Sequence, residues 1–433
     1  MNLQEIKNLE REEFIKRDKE LCFIPSEGFP TEDILQAQSS IFSLKYAEGR
    51  KNARYYAGCE NIDKMVDLCE QHALTMFNAK EEYSACCEFH SGTNANLAIY
   101  GAILDKDDTV LSMSVENGAH ISHGHKLSFL GKYHNVIQYG LDDKGFIDYK
   151  QVEELALRHK PKLIICGCSA YSRIIDFKKF KEIADRVCAY LMADIAHITS
   201  LVVCGLHPSP VGLADFISFT THKMLNCPRG GVVLYKKQFE KDITRGLIPF
   251  SSGGPLENMV YAKLVGFNNI LNNMDKFKQY TQQIINNSKC MEKVFKENNI
   301  PIVSNGTDNH LLLLDLSNYS ICGRDMAKLL EECGIICNCN AIPNDKKGFF
   351  KTSGIRLGTP FVTARGLTTK YIEDVAKAMS DLINLYKDNK TPDENTLYEC
   401  KLCLKMLVNS ITALFPMKNI YPKIYKRLFE DEV

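Results

Sequence analysis

The stretch that decides the fold runs from residue 220 to residue 231 and reads Thr-Thr-His-Lys-Met-Leu-Asn-Cys-Pro-Arg-Gly-Gly. Apolar runs at residues 216–219 and 232–235 flank it and predict two buried strands. Lys223 is therefore expected in a tight polar connection, where burial lowers the pKa of an amine and makes it a nucleophile toward an aldehyde. The alternative interpretation is a solvated lysine after an edge strand, which is the usual state of lysine.

The composition is that of an ordinary globular protein. The chain has 433 residues, with 53 Lys+Arg balanced by 53 Asp+Glu. This balance does not favour nucleic acid as a partner. The N-terminus lacks the apolar segment of a signal peptide, and no run of 18 or more apolar residues predicts a membrane span. We therefore expect a soluble, cytoplasmic protein that binds neither nucleic acid nor membrane.

Cysteine is unusually abundant, with 17 residues scattered along the chain, many of them in apolar runs. This pattern favours reduced, buried thiols over a disulfide framework. The closely spaced pairs at 86–87, 337–339 and 400–403 have no second pair or histidine at ligand spacing. We therefore expect no metal site.

The order of the elements predicts three parts: an N-terminal arm at residues 1–30, a large domain at 31–270 and a small domain at 271–433. In the large domain, apolar strands alternate with amphipathic helices, which predicts an α/β fold with a mostly parallel sheet covered on both faces. A long helical stretch, broken near residues 272–273, leads into a smaller α+β domain. Strands are predicted at 109–115, 135–139, 163–168, 190–193, 216–219, 232–235, 311–316 and 353–357, and helices at 61–78, 97–104, 149–159, 177–188, 324–333, 371–385 and 396–414.

Polar residues at the strand ends are the candidates for chemistry, because ligands of a parallel sheet bind at the carboxyl ends of its strands. Ser91, Gly92 and Thr93 open a predicted helix, where backbone N–H groups and the helix dipole suit a phosphate. An ordinary helix N-cap is the alternative interpretation. Ser169 follows the predicted strand 163–168 in the same way.

Three further residues complete the set. Asp194 ends a predicted strand, and a buried carboxylate there needs a cationic partner such as a protonated pyridine nitrogen, unless it serves only as an N-cap. His120 follows small residues that leave room for a flat ring beside its imidazole, although a structural histidine is the alternative. Arg356 offers a bidentate clamp for a carboxylate. A phosphate cradle, a buried acid, an imidazole, an amine and a carboxylate clamp together predict pyridoxal phosphate chemistry on an amino acid.

These residues lie in motifs that resemble those of the serine hydroxymethyltransferase family. The motif around Lys223 is similar to the cofactor-lysine motif of that family, and further motifs follow in family order over roughly residues 20 to 385. They read Lys-Tyr-Ala-Glu-Gly at 45–49, Arg-Tyr-Tyr-Ala-Gly-Cys-Glu at 54–60, His-Ser-Gly-Thr-Asn-Ala-Asn at 90–96, Ser-Ala-Tyr-Ser at 169–172, Ala-Asp-Ile-Ala-His at 193–197, Gly-Thr-Asp-Asn-His at 306–310 and Ser-Gly-Ile-Arg-Leu-Gly-Thr-Pro at 353–360.

The resemblance implies a fold-type I pyridoxal-phosphate transferase with a seven-stranded, mostly parallel sheet. It also implies a homodimer or homotetramer with active sites shared between subunits. Lys223 would hold the cofactor aldehyde, Asp194 its pyridine nitrogen and His120 its ring face. The implied phosphate and neighbouring cofactor contacts are Ser91, Gly92, Thr93, Ser169, Thr220 and His222, with Tyr46, Gly253 and Gly254 coming from the partner subunit.

The implied substrate residues come from several segments. Arg356 and Ser26 would bind the substrate carboxylate. Glu48 would exchange a proton with the substrate hydroxyl, and Tyr56 and His197 would stand beside it. Tyr55 and Asn340 match family contacts to the second substrate, tetrahydrofolate.

The chain departs from the family pattern mainly where folate is expected. Gly28 replaces an asparagine, Ala119 replaces a glycine that approaches the pterin, and residues 248–255 lose an aromatic residue and a glutamine. Met224 and Cys227 are further substitutions beside Lys223. The cofactor and carboxylate residues are kept, whereas the predicted acceptor pocket differs.

Three functions follow from this pattern. The leading hypothesis is the interconversion of serine plus tetrahydrofolate with glycine plus methylene-tetrahydrofolate. The second is a folate-independent threonine aldolase or transaldolase that forms β-hydroxy amino acids with an aldehyde. The third is a catalytically silent structural or RNA-binding relative, which the retained Lys223, Asp194 and Arg356 argue against.

Overall fold

The structure is a computed structural model that describes residues 3–388 and 390–430. The outermost residues of the predicted arm and small domain, 1–2 and 431–433, lie outside the described part of the chain.

Fourteen strands occur in the described residues. In chain order they are β1 (Leu21–Cys22), β2 (Gly49–Arg50), β3 (Ala53–Arg54), β4 (Tyr83–Phe89), β5 (Thr109–Met113), β6 (Asn135–Tyr139), β7 (Leu163–Cys166), β8 (Tyr190–Asp194), β9 (Phe216–Thr220), β10 (Gly231–Lys236), β11 (Leu311–Asp315), β12 (Ile335–Ile336), β13 (Asn338–Asn340) and β14 (Gly354–Gly358).

Eighteen α-helices occur in the same described residues. They are α1 (Leu3–Asp18), α2 (Glu32–Ala37), α3 (Glu60–Met76), α4 (Gly92–Ile103), α5 (Phe129–Tyr133), α6 (Tyr149–His159), α7 (Phe177–Arg186), α8 (Thr199–Val203), α9 (Glu240–Arg245), α10 (Glu257–Asn272), α11 (Met274–Glu297), α12 (Gly323–Glu332), α13 (Gly348–Lys351), α14 (Pro360–Arg365), α15 (Thr369–Asn384), α16 (Glu394–Leu414), α17 (Met417–Ile420) and α18 (Pro422–Phe429).

The chain divides into two compact units. One unit runs from Asp33 to Thr281, and the other combines the chain up to Glu32 with the chain from Gln282 onward. The sequence placed boundaries near residues 30 and 270 and treated the N-terminal arm as a part of its own. In the structure the first 32 residues belong with the C-terminal part of the chain.

The unit from Asp33 to Thr281 is built on a seven-stranded sheet in the order β4-β10-β9-β8-β7-β5-β6. The five strands β6, β5, β7, β8 and β9 pair in parallel, and β10 runs antiparallel to β9 and to β4. Most residues of these strands are buried, as expected where helices cover a parallel sheet, although the edge strand β6 is only partly buried. The predicted mostly parallel seven-stranded sheet is confirmed.

The edge pairing between β4 and β10 is irregular. Gly231 pairs with Phe89 and Val233 pairs with Cys86, so two residues of β4 oppose one residue of β10. Such a β-bulge leaves backbone groups of the ladder unpaired and increases the local twist. The bulge lies at the end of β4 that leads into α4.

The other unit has a three-stranded antiparallel sheet in the order β11-β14-β13 and a short parallel pair, β1 with β12. Its core is a single cluster of buried apolar side chains from β11, β14, α11, α12, α15 and α16. The N-terminal helix packs within this unit, where Phe14 contacts Tyr425 and Phe429 with ring centroids 5.9 and 5.7 Å apart.

One buried arginine joins the ends of two helices in that unit. Arg365 donates to the carbonyl oxygens of Asp18, the last residue of α1, and of Glu20, at 2.6 and 2.7 Å, and to that of Phe415 after α16, at 3.0 Å. A cation is favourable there because the last carbonyls of a helix have no partner within the helix. The arm therefore has a specific anchoring point in its own chain.

By length and composition alone, one helical stretch of the described chain, Glu394–Ile420, could cross a membrane. A single such stretch is weak evidence, because a core helix of a soluble protein passes the same test.

All 17 cysteines are free thiols, and ten of them are buried.

Candidate active site

A cleft opens at the carboxyl edge of the large sheet, where five segments bring polar side chains together. These segments follow β4, β5, β7, β8 and β9, all of which end at the same edge because they run in the same direction. The cleft is lined by Ser91, Gly92, Thr93, Asn96, His120, His123, Cys168, Ser169, Asp194, Ala196, His197, Thr220, His222, Lys223 and Arg229.

The N-terminus of α4 forms one wall of the cleft. The Ser91 hydroxyl accepts a hydrogen bond from the Asn94 backbone N–H at 3.1 Å and so caps the helix. The approach at Gly92 is close, since a Cβ there would lie 2.7 Å from Cγ2 of Thr220 and would require that side chain to move. The two predicted functions of this segment, helix cap and anion cradle, are therefore compatible in one structure.

Asp194 is the buried acid of the cleft. Its Oδ2 accepts hydrogen bonds from Asn96 Nδ2 and His123 Nε2, both at 2.9 Å, and its Oδ1 accepts from the backbone of Ala196 at 3.0 Å. Burial alone would raise the pKa of this carboxyl, but the hydrogen bonds and the positive character of His123 outweigh burial and hold the pKa well below its usual range. Asp194 is therefore a carboxylate at neutral pH and can stabilise a cation in the cleft.

His120 lies beside this acid. Its Nδ1 is 2.7 Å from the Ser122 hydroxyl, and its ring meets the ring of His123 at a centroid distance of 5.8 Å. The Ser122 hydroxyl in turn accepts from Asn96 at 3.0 Å. This chain of hydrogen bonds fixes the orientation of the His120 ring.

The Lys223 loop is held rigidly by its own backbone. The Thr221 hydroxyl donates to the Pro228 carbonyl at 2.5 Å, and the Cys227 N–H donates to the Thr221 carbonyl at 3.0 Å. Asn226 turns the loop with a φ of 53°, which asparagine tolerates better than most residues. Lys223 is buried, with 8% of its surface exposed.

His222 is the neutral histidine of this loop. Burial, together with the charges of Arg229 and Lys223, lowers the pKa of His222 to about 3. Its ring accepts from Arg229 at 3.3 Å. The cleft thus places two cationic side chains and a neutral imidazole next to the N-terminus of α4, which is the electrostatic setting of an anion site.

A second group of predicted residues gathers elsewhere in the same unit. Tyr46 and Tyr56 pack with ring centroids 4.9 Å apart, a Cβ on Gly254 would lie 3.3 Å from the Tyr46 ring, and one on Gly253 would lie 3.7 Å from Glu48 Oε1. None of these residues is among the described residues that line the Lys223 cleft. Tyr55 is 70% exposed beside this group.

The carboxylate residues Arg356 and Ser26 lie in the other unit, where their segments are neighbours. The Gly358 N–H donates to the Phe23 carbonyl at 2.7 Å, which places the segment after β1 beside the end of β14. Arg356 Nε donates to Asn338 Oδ1 at 3.1 Å, across the β13–β14 pair. Burial lowers the pKa of Arg356 to about 10, so the guanidinium stays charged at neutral pH. Asn340 lies on the same strand as Asn338.

A comparison with models of protein families matches residues 1–379 to the model described as SHMT, serine hydroxymethyltransferase. The chain belongs to the serine hydroxymethyltransferase family. Members of this family have the fold-type I architecture and depend on pyridoxal phosphate. The resemblance noted in the sequence is therefore confirmed at the level of family and fold.

The Lys223 cleft fits the cofactor of the serine hydroxymethyltransferase family. Two buried side-chain oxygens in it, Asn96 Oδ1 and Thr220 Oγ1, have no hydrogen-bond partner among the described residues. A buried polar atom without a partner costs about 1 to 3 kcal/mol, and a polar ligand in the cleft would remove that cost. The donors at the start of α4, the carboxylate of Asp194 and the amine of Lys223 match the phosphate, pyridine nitrogen and aldehyde of pyridoxal phosphate.

Sequence reasoning missed three polar or charged residues that line the Lys223 cleft, Asn96, His123 and Arg229, and it also missed Asn338, the partner of Arg356 in the other unit. Asn96 and Arg229 lie inside motifs that carry the family resemblance, and His123 comes three residues after His120. Their proximity to recognised residues was the signal that was available. Their partners, however, lie on distant segments, since His123 is 71 residues from Asp194.

Proposed function

We propose that this serine hydroxymethyltransferase family member interconverts serine plus tetrahydrofolate with glycine plus methylene-tetrahydrofolate. The observation that carries the proposal is the convergence of Ser91, His120, Asp194 and Lys223 in one cleft. These residues come from four segments of the chain, and each suits a different part of pyridoxal phosphate.

The cleft residues would hold the cofactor in the following way. The Ser91–Thr93 backbone, Thr220 and His222 bind the phosphate, Lys223 binds the aldehyde, and the Asp194 carboxylate keeps a proton on the pyridine nitrogen. Bound pyridoxal phosphate supplies an electron sink for the substrate Cα. His120 would hold the ring face, and Ser169 would contribute a hydroxyl to the cofactor site.

The remaining residues act on the amino acid. Arg356 and Ser26 bind its carboxylate, and because the guanidinium stays charged at neutral pH it orients the substrate through a charge-assisted bidentate contact. Glu48, with His197 and Tyr56, moves the proton of the substrate hydroxyl. General acid–base groups of this kind contribute about 10² to 10⁴ in rate.

We propose that the chain forms a homodimer or homotetramer with shared sites, and the second group of residues supports this proposal. Tyr46, Glu48, Gly253 and Gly254 form one cluster, which lies outside the lining of the Lys223 cleft in the same chain. If these residues serve a cofactor site, the site they serve belongs to another copy. The exposed Ile41 and Leu44, at 77% and 82%, directly precede this cluster and offer apolar surface to that copy.

The test is the conversion of L-serine to glycine by the purified chain loaded with pyridoxal phosphate, with and without tetrahydrofolate. We expect glycine only when tetrahydrofolate is present, and none from K223A. The matched control is K241A, which removes an exposed lysine of α9 and should behave like the parent.

The other outcomes separate the alternatives. Glycine and an aldehyde formed from serine or threonine without folate would replace the proposal by aldolase or transaldolase chemistry. The departures from the family pattern at Gly28 and Ala119, where folate is expected, would agree with that result. No turnover of either kind, with cofactor bound, would favour the non-enzymatic relative.

A further inference from the structure

Lys263 on α10 is a fully buried lysine that the proposed reaction does not use. It is 1% exposed. Its Nζ donates to three backbone carbonyl oxygens, those of Cys87 at 2.7 Å, Phe89 at 2.9 Å and Gly231 at 3.2 Å. Burial lowers the pKa of Lys263, but three carbonyl acceptors match the three N–H donors of the ammonium form and stabilise it.

The β-bulge between β4 and β10 explains why these carbonyls need a partner. Two residues of β4 oppose one residue of β10 there, so the regular ladder is interrupted between Phe89 and Cys86. Buried carbonyl groups without a partner are costly. The Lys263 ammonium satisfies both sides of the bulge at once and thereby fixes the distance between the two strands.

The two strands joined in this way lead directly to the phosphate side of the cleft. Two residues after Phe89 comes Ser91, the N-cap of α4, and Gly231 ends the loop that carries His222 and Lys223. The fit is tight, because a Cβ on Gly230 would lie 2.5 Å from Lys263 Nζ. The charge of Lys263 also reaches His222 and contributes to keeping that imidazole neutral.

We propose that Lys263 is a positioning residue for the cofactor phosphate. Its ammonium holds the start of the α4 cradle and the end of the Lys223 loop at a fixed spacing, and it adds positive charge beneath the anion. It acts through the backbone and does not itself touch the phosphate. The inference rests on the proposed cofactor site and names a further residue of that site.

The experiment compares pyridoxal phosphate with pyridoxal, which lacks the phosphate, as ligands of the cofactor-free full chain in equilibrium dialysis. In K263M we expect pyridoxal phosphate to bind at least about tenfold more weakly, and pyridoxal to bind within about threefold of the parent. K263Q keeps two N–H donors without the charge, and its affinity for pyridoxal phosphate should lie between that of the parent and that of K263M. It also serves if K263M does not fold.

The control is Y83F, which removes a buried hydroxyl at the opposite end of β4, where Tyr83 donates to the Ala214 carbonyl at 2.6 Å. It should lower thermal stability without changing the preference for the phosphate ester. If K263M weakens both ligands equally, or neither, Lys263 has only a structural function and the inference is wrong. If the parent chain itself does not prefer pyridoxal phosphate, the proposed cofactor site fails instead.

Discussion

His123 makes the largest contribution that lowers the pKa of the buried acid Asp194, beside those of His120 and Asn96. We expect H123F to lower the free energy of unfolding by roughly 1.5 to 3 kcal/mol at pH 7, because a hydrogen bond to a buried charge is lost. Since folding depresses the pKa of Asp194, the stabilisation is present above the unfolded value of about 3.9 and is lost as pH falls through the folded value. The difference in free energy of unfolding between parent and H123F, measured by urea titration, should therefore narrow below about pH 4.

The control for H123F is H207F, which removes another buried histidine. His207 accepts a hydrogen bond from the Ile175 N–H at 3.1 Å, and its Nδ1 lies 2.9 Å from the Pro208 carbonyl oxygen. The loss of His207 should destabilise the protein, and the difference in free energy of unfolding between parent and H207F should not narrow in acid. A pH-independent difference for H123F as well would show that Asp194 is not the group responsible.

Asn338 orients Arg356, because its Oδ1 accepts a hydrogen bond from Arg356 Nε at 3.1 Å. We expect N338A to raise the KM for serine about tenfold with little change in kcat, because the guanidinium stays charged but is no longer held in place. N340A, two residues along β13, is the matched variant and should raise the KM for tetrahydrofolate instead. Equal effects of both variants on both substrates would contradict the assignment.

Single residues also show what the sequence reveals about the site. Asp194 and Lys223 were predictable, because each follows an apolar strand whose carboxyl end defines the ligand edge. His123 and Lys263 were not, because their functions depend on partners that are distant in sequence. A lone histidine or lysine carries no periodic signal that indicates a buried partner.

At the scale of elements, the β2–β3 hairpin fixes the segment that carries Glu48. Arg54 donates to the Ala47 carbonyl at 2.7 Å and to Glu88 Oε1 at 2.8 Å, and Glu257 accepts from the Ala47 backbone. Arg50 bonds to the other oxygen of Glu88 and to Glu70. The backbone on both sides of Glu48 is thus held by buried charges.

We expect R54M to loosen this segment specifically. Removing one partner of a buried ion network costs about 3 to 5 kcal/mol, because the remaining charge is left uncompensated. Hydrogen exchange of amides 47–56 should accelerate, while that of amides 91–104 in α4 stays unchanged. K45M, which removes only a surface bond to the Ala57 carbonyl, is the control. Unchanged exchange at 47–56 would mean that the hairpin does not depend on Arg54.

The same ion network explains why β4 was missed from the sequence. The run Tyr83–Phe89 contains Glu88, which reads as a break in an apolar strand, yet this side chain is buried because two arginines accompany it. The predicted strand 135–139 and helix 149–159 match the structure, and in the helix the buried Val152 and Ala156 recur at the helical spacing of four residues. Strands whose polar residues pair across the fold lack such a regular pattern.

At the scale of the whole molecule, we expect an oligomer that depends on the apolar surface at Ile41 and Leu44. L44D should shift the protein toward the monomer in sedimentation velocity, because a buried unpaired carboxylate opposes association. L157D changes a half-exposed leucine on α6 and should leave the assembly unchanged. A parent chain that sediments as a monomer at micromolar concentration would contradict the shared site.

The anchoring of α1 by Arg365 has a consequence for how the protein emerges from the ribosome. The stretch from Asp33 to Thr281 is continuous and can fold while synthesis proceeds. The first helix is translated before it, but Arg365, Phe415 and Tyr425 arrive only near the end. The N-terminal segment can therefore reach its native packing only after these late residues have been synthesised.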